Sequence, residues 1–279
     1  RGSASAAVRA SVRTPGPTAR NGFGSGLGKA EEEEFWGATP QLGAIRQAAW
    51  SRGAGSWATL GVLILRAIAV TPPEYQLPDI IGDYASLNFF LSLVGMSGQG
   101  KGLPIAAARR HIDMGVVDQI NIGTWEGFAR SYVDWQADRA HPQGGELVPI
   151  RTSMLFVCTE VDNLTAIAGR NGATIGPVLR QAWMGEDLGA GNSTKELRLH
   201  VEAHTYRATL LVGVQPGNEG VLLNPKETRG GTPQRFFWMP VSDLYRPSAR
   251  MRPSKPPAVE WNPPYWPVDV PFTPGQYVI

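Results

Sequence analysis

The residues best suited to chemistry lie together in Gly95-Met96-Ser97-Gly98-Gln99-Gly100-Lys101-Gly102. They spell G-x-x-x-x-G-K, with an apolar run from Leu91 to Val94 before them and a helix-forming run after them. Glycines let backbone amides turn inward around phosphate oxygens, the lysine reaches the β and γ phosphates of a nucleotide, and a helix N-terminus adds its dipole. Gly95, Ser97, Gly98, Gln99, Gly100, Lys101 and Gly102 are therefore the candidate nucleotide-binding residues. The competing reading, an ordinary glycine-rich turn, does not account for the strand before it and the helix after it. One position departs from the pattern. The residue after the lysine is expected to be Ser or Thr, whose hydroxyl holds Mg²⁺; here it is Gly102. Either water takes that ligand place, or the metal is held weakly and hydrolysis is slow.

A second motif, Met154-Leu155-Phe156-Val157-Cys158-Thr159-Glu160-Val161-Asp162, is an apolar strand ending in acids, the form of a Walker B. Carboxylates at that point hold Mg²⁺ through water and orient the attacking water, so Glu160 and Asp162 are the candidate metal-binding and catalytic acids. Exposed acids at a strand end are the plain alternative. In a third run, Leu210 to Val214, the apolar strand ends in Gln215, an amide placed to sense a γ-phosphate or to position water; a bland loop glutamine fits equally. In Gly231-Thr232-Pro233-Gln234-Arg235-Phe236, Arg235 precedes a strand and is a candidate arginine finger into a neighbouring subunit's site. Trp125 and Glu126 either line the cleft or pack at a helix start.

Other chemistry is poorly supported. The single cysteine, Cys158, sits in an apolar run and reads as a buried structural thiol. The four histidines lack an HExxH spacing, and His200 with His204 in a strand-like stretch is weak evidence for a metal. The segment GFGSGLGK near the start has Phe23 where a phosphate loop needs its first glycine, and no apolar strand precedes it.

The elements that must position these residues read as follows. Phe89 to Val94, Val116 to Ile122, Ser153 to Cys158, Tyr206 to Val214 and Phe236 to Met239 are predicted strands. Helices are predicted over Leu103 to His111, Thr124 to about Gln136 and Pro177 to Met184. This alternation predicts an α/β fold with a mostly parallel central sheet and helices on both faces. Before it, Glu31 to Glu34, then Leu42, Ile45 and Ala49, then a helix from Ser56 (a plausible N-cap) to about Val70 predict a helical N-terminal lead-in, ended by Pro72 and Pro73. After Pro240 the prolines crowd into an extended Pro-rich C-terminal tail, which Trp261, Tyr265 and Trp266 are placed to pin. The resulting division is a disordered leader over 1–30, a helical region over 31–77, a nucleotide-binding domain over 78–240 and a tail over 241–279.

With 279 residues, 42% hydrophobic and 18% charged, a packed core is within reach and disorder throughout is excluded. The net charge of +2 is too small to attract nucleic acid or membrane by itself, so any such contact must be a local patch; Arg109, Arg110, Arg130 and Arg139 are candidates. The longest apolar stretch, Trp57 to Val70, contains Arg66 and is too short to span a bilayer. The first residues are basic and acid-poor but lack the apolar core of a secretory signal, so a flexible leader and a cytoplasmic location are expected.

Taken together, the stretches LPDIIGDYASLNFFLSLVGMSGQGKG (ending at Gly102), LFVCTEVDNL, GRNGATIGPVLRQAWMGEDLG, HTYRATLLVGVQPG and GGTPQRFFW resemble, in the same order, the actinobacterial and phage replication ATPases of the primase–helicase kind, related to the DUF3987 domain. The likeness covers roughly Phe35 to Pro240. It implies a RecA-like P-loop NTPase that uses ATP and Mg²⁺ and acts on single-stranded or forked DNA during replication of a phage, plasmid or integrated element. It further implies a ring-forming homo-oligomer and a primase–polymerase partner. On this resemblance Gly95, Gly98, Gly100 and Lys101 fall on the phosphate loop, Glu160 and Asp162 on the acidic strand end, Gln215 on the sensor position and Arg235 on the arginine of the GTPQRF segment. Relatives with a glycine after the lysine exist, and relatives continue into a helical C-terminal region where this sequence turns rich in proline. A nucleotide-binding regulatory or scaffold protein with negligible turnover is the alternative function.

Overall fold

The computed structural model describes residues 26–77, 84–122, 125–137, 145–164, 175–190 and 199–261. Of the leader expected to be disordered over 1–30, residues 1–25 lie outside the described residues, as do Arg139, Tyr265, Trp266 and parts of the resembling stretches (78–83 and 169–174); Lys29 and Ala30 belong to a helix.

Five strands form the central sheet: β1 (Phe89–Val94), β2 (Gln119–Asn121), β3 (Ser153–Cys158), β4 (Arg207–Val214) and β5 (Phe236–Pro240). All four pairings are parallel, and the spatial order is β5-β1-β4-β3-β2. Alternate side chains feed two cores, as a period of two requires. Phe89, Leu91, Leu93, Leu155, Val157 and Leu211 face one side; Phe90, Met154, Phe156, Cys158, Leu210, Val212 and Val214 face the other. Every residue of β4 is buried, which is why it reads as a continuous apolar run rather than an alternating one.

The first core is covered by the N-terminal helices α1 (Lys29–Gly37), α2 (Pro40–Ser51) and α3 (Ser56–Ala69), and by α4 (Gly102–His111). Thr39 caps α2 by accepting the Leu42 N–H at 3.2 Å, with Pro40 in the first turn where a missing N–H costs nothing. Ser56 is not the N-cap of α3 but its first helical residue. The cap is the carboxylate of Asp243, 187 positions away, which accepts the Ser56 N–H at 2.8 and 2.9 Å and the Ser56 hydroxyl at 2.6 Å. At the other end of α3, the buried Arg207 guanidinium donates to the carbonyls of Thr71 (3.2 Å), Pro72 (2.8 Å) and Tyr75 (2.6 Å). Burial lowers its pKa to about 10, so it stays a cation and ties the base of β4 to the end of α3.

The second core is covered by α5 (Trp125–Arg130), α6 (Ile175–Met184), α7 (Gly220–Leu223) and α8 (Pro225–Gly230), with Phe128, Leu179, Ala182 and Leu222 pointing inward. Two predicted elements are shorter than expected. The strand over Val116 to Ile122 is ordered as strand only at Gln119–Asn121, all three residues exposed at the sheet edge. The helix expected to reach Gln136 stops at Arg130, and Val133–Ala137 pairs antiparallel with Gly145–Pro149 as a hairpin. Buried Val133, exposed Asp134 and half-buried Trp135 alternate, and this period of two, with β-forming side chains, outweighs the helical pattern. A further antiparallel pair joins Leu188–Ala190 to Leu199–Val201; of the two, only the strand-like stretch at His200 was anticipated.

Among the described residues, the C-terminal segment over 241–261 is largely extended, with a 3₁₀ turn at Ala249–Met251, and is pinned to the body. Gln47 Nε2 donates to the Ser254 carbonyl at 3.0 Å, Val259–Glu260 pairs with Ile112–Asp113, and Trp261 packs on the first core. Among the described residues, no helix is long and apolar enough to cross a membrane.

Candidate functional site

β1 and β4 are neighbours, yet the chain leaves them in opposite directions. From β1 it passes to α4 on the face of α3; from β4 it passes to α7 on the other face. Such a reversal opens a crevice outside the carboxyl ends of the strands, where open α/β sheets bind ligands. The Gly95–Gly102 loop sits at that crevice. Its entry is fixed by the Gly95 N–H donating to the Val214 carbonyl at 3.0 Å.

The loop is held open by its own bonds. Gln99 Oε1 accepts the Met96 N–H at 2.8 Å, and the Gln99 N–H donates to the Met96 carbonyl at 3.2 Å. Gln99 thus braces the loop, and its side-chain oxygen is engaged there rather than turned to a ligand. Gly98 (φ 77°) and Gly100 (φ 74°) occupy the left-handed region that side chains rarely adopt, so the motif's glycines are required by the turn itself. Met96, Ser97 and Gly98 are exposed, whereas Gln99, Gly100 and Lys101 are half-buried. α4 begins at Gly102; the Leu103 N–H already donates to the Gly100 carbonyl at 2.8 Å, so the amides before it are the ones the first turn leaves for a ligand. The N–H groups of Lys101 and Gly102 are the donors a phosphate oxygen would take.

Lys101 folds back over the sheet end. Its Nζ donates to the Gly95 carbonyl at 3.4 Å, a long bond that a phosphate oxygen can replace. Its Cδ lies 3.5 Å from the point where a Cβ on Gly213 would stand, and that point is only 2.1 Å from the Thr159 carbonyl oxygen. Gly213 therefore lets the ends of β3 and β4 approach while leaving a path for the lysine stem. A glycine inside an otherwise aliphatic strand marks such a close approach, and that was the available sequence signal for Gly213.

At the end of β3 the chain turns sharply. The Val161 N–H donates to the Gly213 carbonyl at 2.9 Å and the Asn163 N–H to the Glu160 carbonyl at 3.1 Å. Glu160 and Asp162 are both exposed. Asp162 accepts a hydrogen bond from Asn218 Nδ2 at 3.1 Å, so the loop after β4 reaches across to the acid. Gln215, half-buried, is the first residue past β4 in that loop, and its carbonyl accepts the Asn218 N–H at 2.9 Å. Asn218 is a second residue that sequence reading missed; a lone loop asparagine carries no signal. The Cys158 thiol faces the second core and donates to the Glu160 carbonyl at 2.9 Å, and burial pushes its pKa up to about 11. It is a neutral, structural group, as its apolar setting suggests.

The structure brings Gly95–Gly102, Glu160, Asp162 and Gln215 to one end of the sheet, but not Arg235. β5 runs parallel to β1 with Phe236 opposite Phe90, so Arg235 stands at the amino end, roughly 15 Å of strand away at 3.3 Å per residue. Its Nη1 donates to the Gly231 carbonyl at 2.7 Å, and its guanidinium lies 5.5 Å from the Trp183 ring centre. Arg235 therefore stands outside its own chain's crevice; the expected finger role concerns a neighbouring subunit's site. Arg235 joins a cluster in which Arg180 donates to Glu227 (3.1 Å) and Thr232 (2.7 Å). Burial, with Arg180 nearby, lowers the Arg235 pKa.

Among the described residues, no group of three or more His, Cys, Asp or Glu side chains is gathered for a metal. His204 Nδ1 is 2.9 Å from the Ser86 hydroxyl and its φ is 61°, so it locks a turn and does not pair with His200. Glu160 and Asp162 suit a Mg²⁺ that arrives with a nucleotide, because that ion keeps several waters and takes one or two carboxylates plus phosphates. A cavity of about 420 Å³ lined by Glu74, Tyr132, Leu147, Arg151, His200 and Glu202, among others, opens at the opposite end of the sheet, away from this chemistry. The sequence matches no protein-family model, and a search of curated proteins finds no match to it.

Proposed function

We propose that the crevice binds Mg²⁺–ATP and hydrolyses it. The observation that carries this reading is the glycine-rich loop between β1 and α4 opening beside the acidic end of β3, with β4 between them. Counted along the chain the order is 5-1-4-3-2, the arrangement expected of a RecA-like P-loop NTPase, and it supports that finer assignment. In this reading the amides of Lys101 and Gly102 and the Lys101 ammonium hold the β and γ phosphates. Glu160 orients a water whose oxygen attacks the γ phosphorus as the bond to the β–γ bridging oxygen breaks; the water's proton passes to Glu160 and then to solvent, leaving ADP and phosphate. Asp162, steadied by Asn218, would hold Mg²⁺ through water. Gln215 senses whether the γ-phosphate is present.

The cellular role we infer is that of a replication motor or helicase-like protein on single-stranded or forked DNA, working as a homo-oligomeric ring, in the cytoplasm and alongside a primase–polymerase. The support is the resemblance together with the crevice. A regulatory nucleotide-binding protein with negligible turnover is the second reading, favoured by Gly102, which offers the metal no hydroxyl. The deciding experiment is ATP turnover with and without single-stranded DNA, beside calorimetry of ATP binding. Lys101→Ala should abolish measurable binding while the far-UV spectrum stays unchanged; equal affinity in the variant would refute the phosphate-loop assignment. ATP binding without DNA-stimulated turnover would leave the regulatory reading.

A further inference from the structure

Two arginines from different elements, Arg130 and Arg151, line one groove at the β2 edge of the sheet, and a third, Arg109, reaches the same edge from α4. Arg109, in the last turn of α4, donates from Nη2 to Gln119 Oε1 of β2 at 2.6 Å. Arg130 ends α5, and Arg151 lies just before β3 with its Nε 3.1 Å from Asp118 Oδ2. Arg130 and Arg151 line one shallow groove of about 310 Å³ with Asp118, Gln119, Ile120 and Ser131. Asp118 is the only acid among the groove's lining residues, so cationic groups outnumber it, and its pairing with Arg151 Nε leaves the two terminal nitrogens of that guanidinium as donors. Among the described residues β2 pairs with β3 alone, so its outer edge presents further backbone donors, and all three of its residues are exposed.

We infer that this groove binds the sugar–phosphate backbone of a single DNA strand, an assignment that rests on the proposed DNA-acting function. Guanidinium groups are suited to phosphate because their planar donors match its oxygens. Ile120, 44% exposed in the same groove, offers an apolar surface that an unstacked base can cover and that a duplex, with its bases inside, would not use. The groove sits toward the amino end of β3, and that six-residue strand separates it by roughly 20 Å from the acids at the other end. A bound strand therefore leaves the nucleotide crevice open, and β3 is a direct physical link between the two.

The test is fluorescence anisotropy of a labelled oligothymidine with the full chain at several salt concentrations. The variants are Arg109→Ala/Arg130→Ala/Arg151→Ala and the single, exposed charge reversal Arg130→Glu. Each lost phosphate contact should lower the salt slope by about 0.7, so the triple variant should lose about two units of slope and bind roughly tenfold or more weakly near 0.1 M salt. ATP binding of both variants, measured by calorimetry, should be unchanged. Should the triple variant lose ATP binding through misfolding, Arg130→Glu alone decides, with a fall in affinity expected. If wild type binds no DNA, the DNA-acting reading fails. If wild type binds and the variants bind equally well, this groove is refuted while that reading stands. Equal or tighter binding of duplex DNA or anionic vesicles by wild type, lost in the variants, would overturn the choice of a single strand.

Discussion

On the proposed function, Gly102 is the position where one atom would decide how the crevice holds Mg²⁺. It is the first residue of α4, and a Cβ placed there meets nothing within 4 Å. Gly102→Ser and Gly102→Ala should therefore both fold, and both should gain from the lower conformational entropy of the unfolded chain, by about 0.5–1 kcal/mol. For a chain of this size that gain is a rise of roughly 1–4 °C in Tm. The two variants differ only in the hydroxyl, so their comparison removes the helix effect and isolates metal ligation. One added oxygen ligand worth about 1.4 kcal/mol would lower the Mg²⁺ concentration for half-maximal ATP binding about tenfold in Gly102→Ser, with Gly102→Ala matching wild type. The assay is nucleotide binding titrated with Mg²⁺, with Tm measured in parallel. If Ser and Ala variants share the wild-type Mg²⁺ requirement while both are more stable, the hydroxyl does not reach the metal and another group already fills that place. If both variants are less stable, the open space at α4 is wrong.

Further expectations follow from contacts at a distance from that residue. Asn218→Ala removes the donor that steadies Asp162; ATP affinity should hold while turnover falls several-fold, with Asn218→Gln restoring part of it, and an unchanged kcat would remove Asn218 from the mechanism. Asp243→Ala strips the cap from α3 and a partner from Trp50 Nε1 at 2.6 Å, and should cost about 2–3 kcal/mol in denaturant unfolding. The Asp243 pKa is raised, burial outweighing its bonds to Ser56 and Trp50, so the folded chain holds that proton more tightly than the unfolded one. Its contribution makes stability fall as pH rises through about 4 and above, and Asp243→Asn should flatten that slope; an unaltered slope would contradict the shift. Arg235→Ala should lower Tm by opening the contacts to Gly231 and Trp183 while leaving ATP affinity at the crevice unchanged, and a loss of affinity with normal Tm would place Arg235 back beside the nucleotide.

Much of the sheet was legible because parallel strands buried on both faces leave runs such as Phe89–Val94 and Met154–Cys158, whose ends are marked by glycines or acids. The edge was harder to read. Gln119–Asn121 is exposed on every residue, so nothing in its polarity distinguishes strand from loop. The Val133–Ala137 hairpin was hidden because Trp125, Phe128, Ala129 and Tyr132 make a helical stripe that runs directly into it, and only the later alternation separates the two. Ser56 shows a different limit. A serine before an apolar run is a sound cap by local rules, yet the carboxylate that caps the helix arrives from the tail, and a contact across 187 positions leaves no trace in local pattern.

The candidate site divides along the same line. Gly95 to Lys101 is contiguous, so loop geometry and chemistry are written in one stretch, and the left-handed backbone at Gly98 and Gly100 is what the spacing demands. Gln215 and the acids could be placed because each directly follows a buried strand, and parallel strands all end at the same edge. The same rule puts a residue that precedes a parallel strand at the opposite edge, so the β5 direction separates Arg235 from its own chain's crevice. What no single motif expresses is the inserted strand. β4 lies between the loop strand and the acid strand, and Gly213 in it must lack a side chain for Thr159 and Lys101 to come as close as they do. The working distance between lysine and acids is thus set by a residue belonging to neither motif, which is why the parts of the crevice could be read from the sequence and their spacing could not.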